Sequence, residues 1–255
     1  MKKIKLLTSL SSIGCVTLVT PIVATSCSNN DTSEYNVELL INALVPNLIK
    51  TNEEKSVSVT AFYKNRTTYV MDLVVSSSNP DVLKVDYTPS PEYKVFNLKG
   101  VSDGTATVNI EVTDIMGYKN KMTAPVIVIG TEGLKSTVVP NTGLTAPFEA
   151  KVSEMTWQSE NPYQATFTDI ESNKVVNDVV PPYELTKIIR DGKEVIDPKI
   201  NFYIFAGYLL VDPNGYTPSK EKEVFELTFK VYDNYGYVTE DNAAEINVTV
   251  NLTNN

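Results

Sequence analysis

The sequence predicts an all-β chain of 255 residues, two tandem β-sandwiches behind an N-terminal export signal. Three observations carry that reading. Long stretches alternate strictly between apolar and polar side chains, an Asp-x-x-Gly turn recurs at the end of two such stretches, and an apolar N-terminal run ends abruptly at a cysteine.

Residues 1–26 have the three parts of an export signal. Lys2, Lys3 and Lys5 make a basic start, an apolar stretch diluted by Ser and Thr runs from Leu6 to Ala24, and Ala24-Thr25-Ser26 leads into Cys27. The polar run Ser28-Asn29-Asn30-Asp31 follows at once. This ending resembles the lipobox of bacterial lipoproteins, with Ala24 where leucine is usual, a looser form similar to that of the wall-less bacteria. The resemblance implies a diacylglycerol on the Cys27 sulfur, palmitate-type acylation, and cleavage after Ser26. It implies a chain held by lipid on the extracellular face of the cell membrane, because two acyl chains anchor stably where one binds only marginally. Cys15, the other cysteine, leaves with the signal, so the exported part is held by packing without a disulfide. Residues 27–35 then read as a polar tether.

After the tether, Val37, Leu40, Ile41, Leu44, Val45 and Leu48 fall at helical spacing around Pro46, which reads as a short helix leading into a strand. From there the alternation takes over. Ala106, Val108, Ile110 and Val112 form one core-facing set; Phe225, Leu227, Phe229 and Val231 form a second; Ala244, Ile246, Val248, Val250 and Leu252 form a third. Period two over this length marks half-buried antiparallel strands.

The chain also repeats itself. Val112-Thr113-Asp114-Ile115-Met116-Gly117-Tyr118 corresponds to Val231-Tyr232-Asp233-Asn234-Tyr235-Gly236-Tyr237, a strand running into a hairpin turn with Gly at the left-handed position. Ser76-Ser77-Ser78-Asn79-Pro80 aligns with Gln158-Ser159-Glu160-Asn161-Pro162, and Val45-Pro46-Asn47 with Val139-Pro140-Asn141. One domain type used twice follows, over residues 36–131 and 132–252, with a junction at Gly130–Gly133 and an insertion in the second copy between Asp169 and Lys199.

The first copy resembles the bacterial immunoglobulin-like group 2 family through Val75-Ser76-Ser77-Ser78-Asn79-Pro80-Asp81-Val82-Leu83-Lys84-Val85 and Gly104-Thr105-Ala106-Thr107-Val108. In the second copy Trp157 stands where that family places a tryptophan, and this half is similar to cadherin-like modules about equally well. The resemblance implies immunoglobulin-like sandwiches, with Trp157 on the third strand between the sheets.

Composition narrows the function. Histidine is absent, which removes the usual proton-transfer group near neutral pH and the commonest metal ligand. With Cys27 acylated, neither Ser-His-Asp nor Cys-His catalysis can be assembled. Only Arg66 and Arg190 among the 22 basic residues are arginine. Once Lys2, Lys3 and Lys5 leave, 19 basic side chains face 31 acidic ones, a net −12 that repels nucleic-acid phosphates. No catalytic residue, cofactor or metal site is assigned. Asp212-Pro213-Asn214-Gly215, Asp233-Asn234 and Asp241-Asn242 offer hard oxygens for calcium but are equally the vocabulary of turns.

The leading reading is therefore a non-catalytic adhesion or binding module on the cell surface. Its partners are the bilayer, through Cys27, and a protein or glycan. Tyr203, Tyr208, Tyr216, Tyr232, Tyr235 and Tyr237 cluster in the second copy, and Tyr216, Tyr235 and Tyr237 are the candidate binding anchors. Two other classes stay open: an accessory subunit of a membrane complex or transporter, and a carbohydrate-active enzyme working through paired carboxylates.

Overall fold

The computed structural model describes residues 39–63, 66–90, 94–139, 147–158, 162–177 and 179–254. Cys27, the signal and the tether lie outside the described residues, as do Pro140-Asn141 and Ser159-Glu160-Asn161.

The first sandwich contains β1 (Leu39–Ala43), β2 (Leu48–Lys50), β3 (Glu54–Tyr63), β4 (Arg66–Thr68), β5 (Val70–Ser77), β6 (Leu83–Asp86), β7 (Val95–Gly100), β8 (Gly104–Asp114) and β9 (Lys119–Ile129). One sheet has the order β1-β3-β7-β6, with β4 against β3; the facing sheet has β2-β9-β8-β5. Relabelled A to G, these are A-B-E-D and A′-G-F-C, the strand order of an immunoglobulin-like sandwich whose first strand is shared between sheets. The stretch expected to begin as a helix is instead that split strand. β1 pairs antiparallel with β3, and β2, beyond Pro46, pairs parallel with β9. Proline has no amide to give a ladder, so it sits where the chain changes sheets. Leu44, placed by helical spacing on an inner face, is exposed.

The second sandwich contains β10 (Leu134–Val139), β11 (Phe148–Lys151), β12 (Thr156–Trp157), β13 (Gln164–Asp169), β14 (Val175–Val176), β15 (Tyr183–Arg190), β16 (Lys193–Glu194), β17 (Asn201–Phe205), β18 (Tyr208–Asp212), β19 (Lys222–Val231) and β20 (Ala244–Thr253). The same order returns. β10 and β11 are the split first strand, since β10 pairs antiparallel with β13 and β11 parallel with β20. β12 and β13 together make strand B, interrupted near Pro162: β12 pairs with β18 and β13 with β10. β15, β19 and β20 are C, F and G, and β17 and β18 are D and E. Both C strands carry a register shift near their start, between Val70 and Asp72 and between Leu185 and Lys187.

This order corrects two expectations. The Asn-Pro motifs are not equivalent, because Asn79-Pro80 follows strand C while Pro162 interrupts strand B. The residues between Asp169 and Lys199 are not a removable insertion, because they contain strand C itself, β15, which pairs along most of β19.

The alternating sets are buried as their parity requires. Val108, Ile110, Val112, Phe225, Leu227, Phe229, Val231, Val250 and Leu252 are closed to solvent, and two apolar clusters result, one in each sandwich. The second cluster also takes in Leu48 and Ile129 from the first sandwich, so the cores meet across the junction.

The repeated turn holds by one mechanism in both halves. Asp114 Oδ1 accepts the amides of Met116 and Tyr118, each at 2.9 Å. Asp233 accepts the amides of Tyr235 and Tyr237, each at 2.8 Å, and that of Val238 at 2.6 Å. Gly117 and Gly236 occupy the left-handed region at φ 83° and 77°, where a side chain would be strained. Both aspartates are buried; truncation loses charge-assisted bonds at each turn and at Asp233 also strands the buried Tyr237 and Val238 amides. Asp114→Ala and Asp233→Ala should each cost about 2–4 kcal/mol, read as a lower urea midpoint with an unchanged slope. Residues 132–254 alone, without Leu48 and Ile129, should melt at a lower temperature than the same half within the full chain.

Candidate functional site

Each sequence-predicted anchor has a definite place. Tyr216, in the loop between β18 and β19, is the middle of an internal relay. Arg190 Nη1 donates to its hydroxyl at 2.9 Å, and that hydroxyl donates to Glu223 Oε2 at 2.5 Å. Ser219 donates to the other Glu223 oxygen through its amide at 2.8 Å and its hydroxyl at 2.7 Å. Glu223 is fully buried. Burial pushes its carboxyl up, but these hydrogen bonds and the Arg190 charge outweigh it, leaving the group below the usual carboxylate range. Tyr216 thus pins a loop and does not face outward.

Tyr235 and Tyr237 do not face a partner either; they seal the second sandwich onto the first. Their rings stack with centroids 5.7 Å apart. The Tyr235 hydroxyl donates to Asn47 Oδ1, and the Tyr237 hydroxyl donates to Glu53 Oε2 at 2.6 Å. Lys50 Nζ lies 5.1 Å from the centroid of the Tyr237 ring. The same Glu53 oxygen accepts the Lys50 amide at 3.0 Å. Burial raises the Glu53 carboxyl, but hydrogen bonds from Lys55, Tyr237 and the Lys50 amide lower it further, and the net direction is down. Tyr237 is raised, by burial first and by Glu53 second, so it stays a neutral donor.

The segment Gly130–Gly133, expected as a simple linker, is fastened on both sides. Gly130 donates its amide to Asp169 Oδ2 at 2.6 Å, and Glu171 Oε1 accepts from the Thr131 hydroxyl at 2.6 Å and the Glu132 amide at 2.9 Å. Leu134 donates its amide to the Tyr237 carbonyl at 3.0 Å. A Cβ on Gly133, at φ 88°, would lie 2.5 Å from that carbonyl oxygen, so the close approach requires glycine. Lys174 and Asp103 add an ion pair of 2.7 Å between the two sandwiches.

The calcium candidates are turns. Asp212 Oδ1 accepts the Asn214 amide at 3.1 Å, Asp233 is spent on three amides, and Asn242 Nδ2 donates to the Thr239 hydroxyl at 3.0 Å. Among the described residues no group of three or more acidic or cysteine side chains is placed to share a cation.

The exposed aromatic surface lies elsewhere, on the outer face of β12, β18 and β17. Register puts Trp157 beside Leu210 and Leu210 beside Tyr203 in one cross-strand row, with Tyr208 and Phe205 paired in the next. Phe202, Ile204, Leu209 and Val211, at the alternate positions, fill the core. Trp157 is 67% exposed and Phe205 80% exposed. Trp157 is therefore on strand B facing solvent, and not on strand C between the sheets. Two strand spacings separate Trp157 from Tyr203, about 9.6 Å. Asp212 and Asn201, paired one row further, give the patch a polar margin. Beside Phe205 the surface dips into an open apolar groove of about 630 Å³ along Tyr163, Pro181, Pro182 and Tyr183. Burial pushes the Tyr163 hydroxyl up to about 12, so the groove carries no charge there at neutral pH.

Sequence reasoning found Tyr203 and Tyr208 as part of the cluster but missed Trp157, Phe205 and Leu210. The signal was present in Phe202-Tyr203-Ile204-Phe205, which is apolar at both parities. One parity goes to the core, and the other is left outside.

No family model and no curated protein matches this chain. Among solved structures it is similar to the adhesin InvE of Yersinia pseudotuberculosis, at 16% identity and TM-score 0.33, covering 84% of this chain and 60% of that one. It is similar to the fibronectin(III)-like modules of Clostridium thermocellum CbhA, at 16% identity and TM-score 0.36, covering 84% and 93%. It is also similar to domains 5-6 of the S-layer protein SbsC, at 14% identity and TM-score 0.30, covering 92% and 99%. Similarity at this level transfers neither ligand nor activity; the class, a tandem immunoglobulin-like sandwich protein, rests on strand order.

The relay and the junction make two expectations. Tyr216→Phe should cost about 1–3 kcal/mol, because the buried Glu223 carboxylate loses a charge-assisted donor. Asp169, Glu53 and Glu223 are all held below their ordinary values. Their contribution to stability is complete above the usual carboxylate range, near about pH 4, and is lost as pH falls through the depressed values. The melting temperature should drop in that acid window, and Glu53→Gln, which cannot titrate, should make the drop shallower.

Proposed function

We propose that this chain is a non-catalytic binding module, held by an acylated Cys27 on the outer face of a cell membrane, which meets a protein or glycan through the aromatic face of its second sandwich. The observation that carries this reading is the row Trp157–Leu210–Tyr203 with Phe205 beside it. Large aromatic side chains on a paired sheet are held in place at little entropic cost, and contiguous exposed apolar surface on a soluble domain marks interaction sites. The fastened junction supports the same reading, because it sets the second sandwich at a fixed distance from the first and so from the anchor. The first sandwich separates the N-terminal strand from the junction: Leu39 pairs with Tyr63 at one end, while Lys50 and Ile129 lie at the other.

The binding test uses intact host cells and immobilised glycans as probes for the mature chain. Trp157→Ala with Phe205→Ser should weaken binding at least about tenfold, the loss expected of an aromatic hot spot, without lowering the melting temperature. Binding that survives this pair of changes sinks the assignment. For the anchor, Cys27→Ser should move the protein from the membrane fraction into the medium or leave it unprocessed. Native protein that retains Met1 and has no lipid by mass spectrometry would refute the anchor.

A further inference from the structure

The same turn occurs in both sandwiches, and among the described residues only one copy is packed against the other sandwich. In the second sandwich the Asp233–Tyr237 turn is the docking element: Tyr235 and Tyr237 reach Asn47 and Glu53 of the sandwich that precedes it in the chain. Its counterpart in the first sandwich is Asp114–Tyr118, at the end of that sandwich where β1 begins. Leu39 pairs there with Tyr63, the Tyr63 and Tyr118 rings stack at 6.0 Å, and the Ile115 amide donates to the Tyr69 carbonyl at 3.0 Å. Met116 and Tyr118 occupy the positions of Tyr235 and Tyr237. Here they point outward: Met116 is 73% exposed and Ile115 61%, with Tyr69, Met71 and Tyr118 also open to solvent. The turn that thrusts them out is rigid, because Asp114 holds two of its amides.

We infer that this tip is a membrane-contact surface, its occupant the bilayer that carries the Cys27 lipid. The inference rests on the anchor reading above. On that reading residues 28–38 are all that separates Cys27 from β1, too few for another sandwich. They allow at most about 40 Å when fully extended, and they enter the body at β1, so the tip is the end of the body nearest the lipid attachment. Its chemistry suits the interfacial zone of a bilayer. Ile115, Met116 and Met71 supply apolar insertion, Tyr69 and Tyr118 add partly exposed amphipathic rings, and Arg66 and Lys119 are exposed at the same end for headgroup phosphates. That local pair of cations offsets the acidic body, which on its own is repelled by anionic lipid. A seated tip orients the chain: the first sandwich stands on the membrane and the second projects outward with its aromatic face clear of the headgroups.

The test uses the mature chain with Cys27→Ser, so that no acyl chain contributes, and vesicles of phosphatidylcholine containing phosphatidylglycerol. Partition is read by co-sedimentation. Ile115→Ser with Met116→Ser should lower it at least about tenfold, because two apolar side chains no longer leave water. Ile196→Ser, a still more exposed apolar change in the second sandwich, should leave partition unchanged. These side chains are exposed, so unaltered melting curves confirm that folding is not the cause. In a second arm Met116→Cys in the same background presents a single thiol for an environment-sensitive fluorophore. Its emission should shift to the blue on vesicles, and the same label at Ile196→Cys should not shift. Equal partition of the tip variant and its parent, or an unshifted label at position 116, overturns the inference. Mass spectrometry of the native chain decides the anchor separately. A lipid-free Cys27 removes the anchor while vesicle binding by the tip still stands, and an acylated Cys27 with a tip indifferent to vesicles removes the tip alone.

Discussion

The turn from Asp233 to Val238 is the contact on which the shape of this molecule depends. A single carboxylate collects three main-chain amides and so freezes a loop that would otherwise fray. Frozen, the loop can present Tyr235 and Tyr237 as a stacked pair to the base of the preceding sandwich, and its Tyr237 carbonyl can take the amide of Leu134. The parallel bridge between Leu134 and Val238 then fixes the first strand of the second sandwich at its starting residue. Gly133 has no side chain because that carbonyl passes through the space one would occupy. Two folding units of the same design thereby share a seam with apolar residues from both, and the junction behaves as structure and not as linker.

A tandem of this kind has two ends of unlike character. The end bearing the N-terminal strand shows a small apolar tip with cations beside it, and the far sandwich shows a broad aromatic face with a polar margin. The ion pair of Lys174 with Asp103 and the grip of Glu171 on residues 131 and 132 add further contacts at the junction. Several hydrogen bonds along a short segment oppose hinge motion in a way that one contact cannot. Under the proposed function a fixed angle matters, because a face that meets a partner away from the membrane must not fold back onto it.

The loss of Tyr216, Tyr235 and Tyr237 as surface anchors follows from how tyrosine behaves. The residue is favoured in strands, at interfaces and as a buried donor alike, and its hydroxyl must find an acceptor when covered. Glu223, Asn47 and Glu53 are those acceptors; the first lies seven residues on from Tyr216, and the other two come from the preceding sandwich. A list of tyrosines in sequence cannot distinguish a ring that ends on a buried carboxylate from one that ends in water. Trp157 was misplaced for a related reason. Strand B of the second sandwich is broken near Pro162, so aligning the two halves by their Asn-Pro motifs put the tryptophan one strand too late and on the wrong face.

What the sequence by itself determined was everything governed by local period. The all-β class, the parity of Val108, Ile110 and Val112 or of Phe225, Leu227 and Phe229, and the matched turns after Asp114 and Asp233 could all be read because alternation and turn chemistry act between residues a few positions apart. The helical spacing around Pro46 misled, because over so short a run the same residues satisfy both periods until pairing partners are known. Only the tertiary structure decided which strands pair, that residues 169–199 contain strand C, and that Trp157, Tyr203 and Phe205 share one outer face. It also decided that one copy of a repeated turn is sealed and the other open. Those outcomes depend on cross-strand register and on contacts between residues well over a hundred positions apart, such as Tyr237 with Glu53, and no local pattern encodes a partner at that distance.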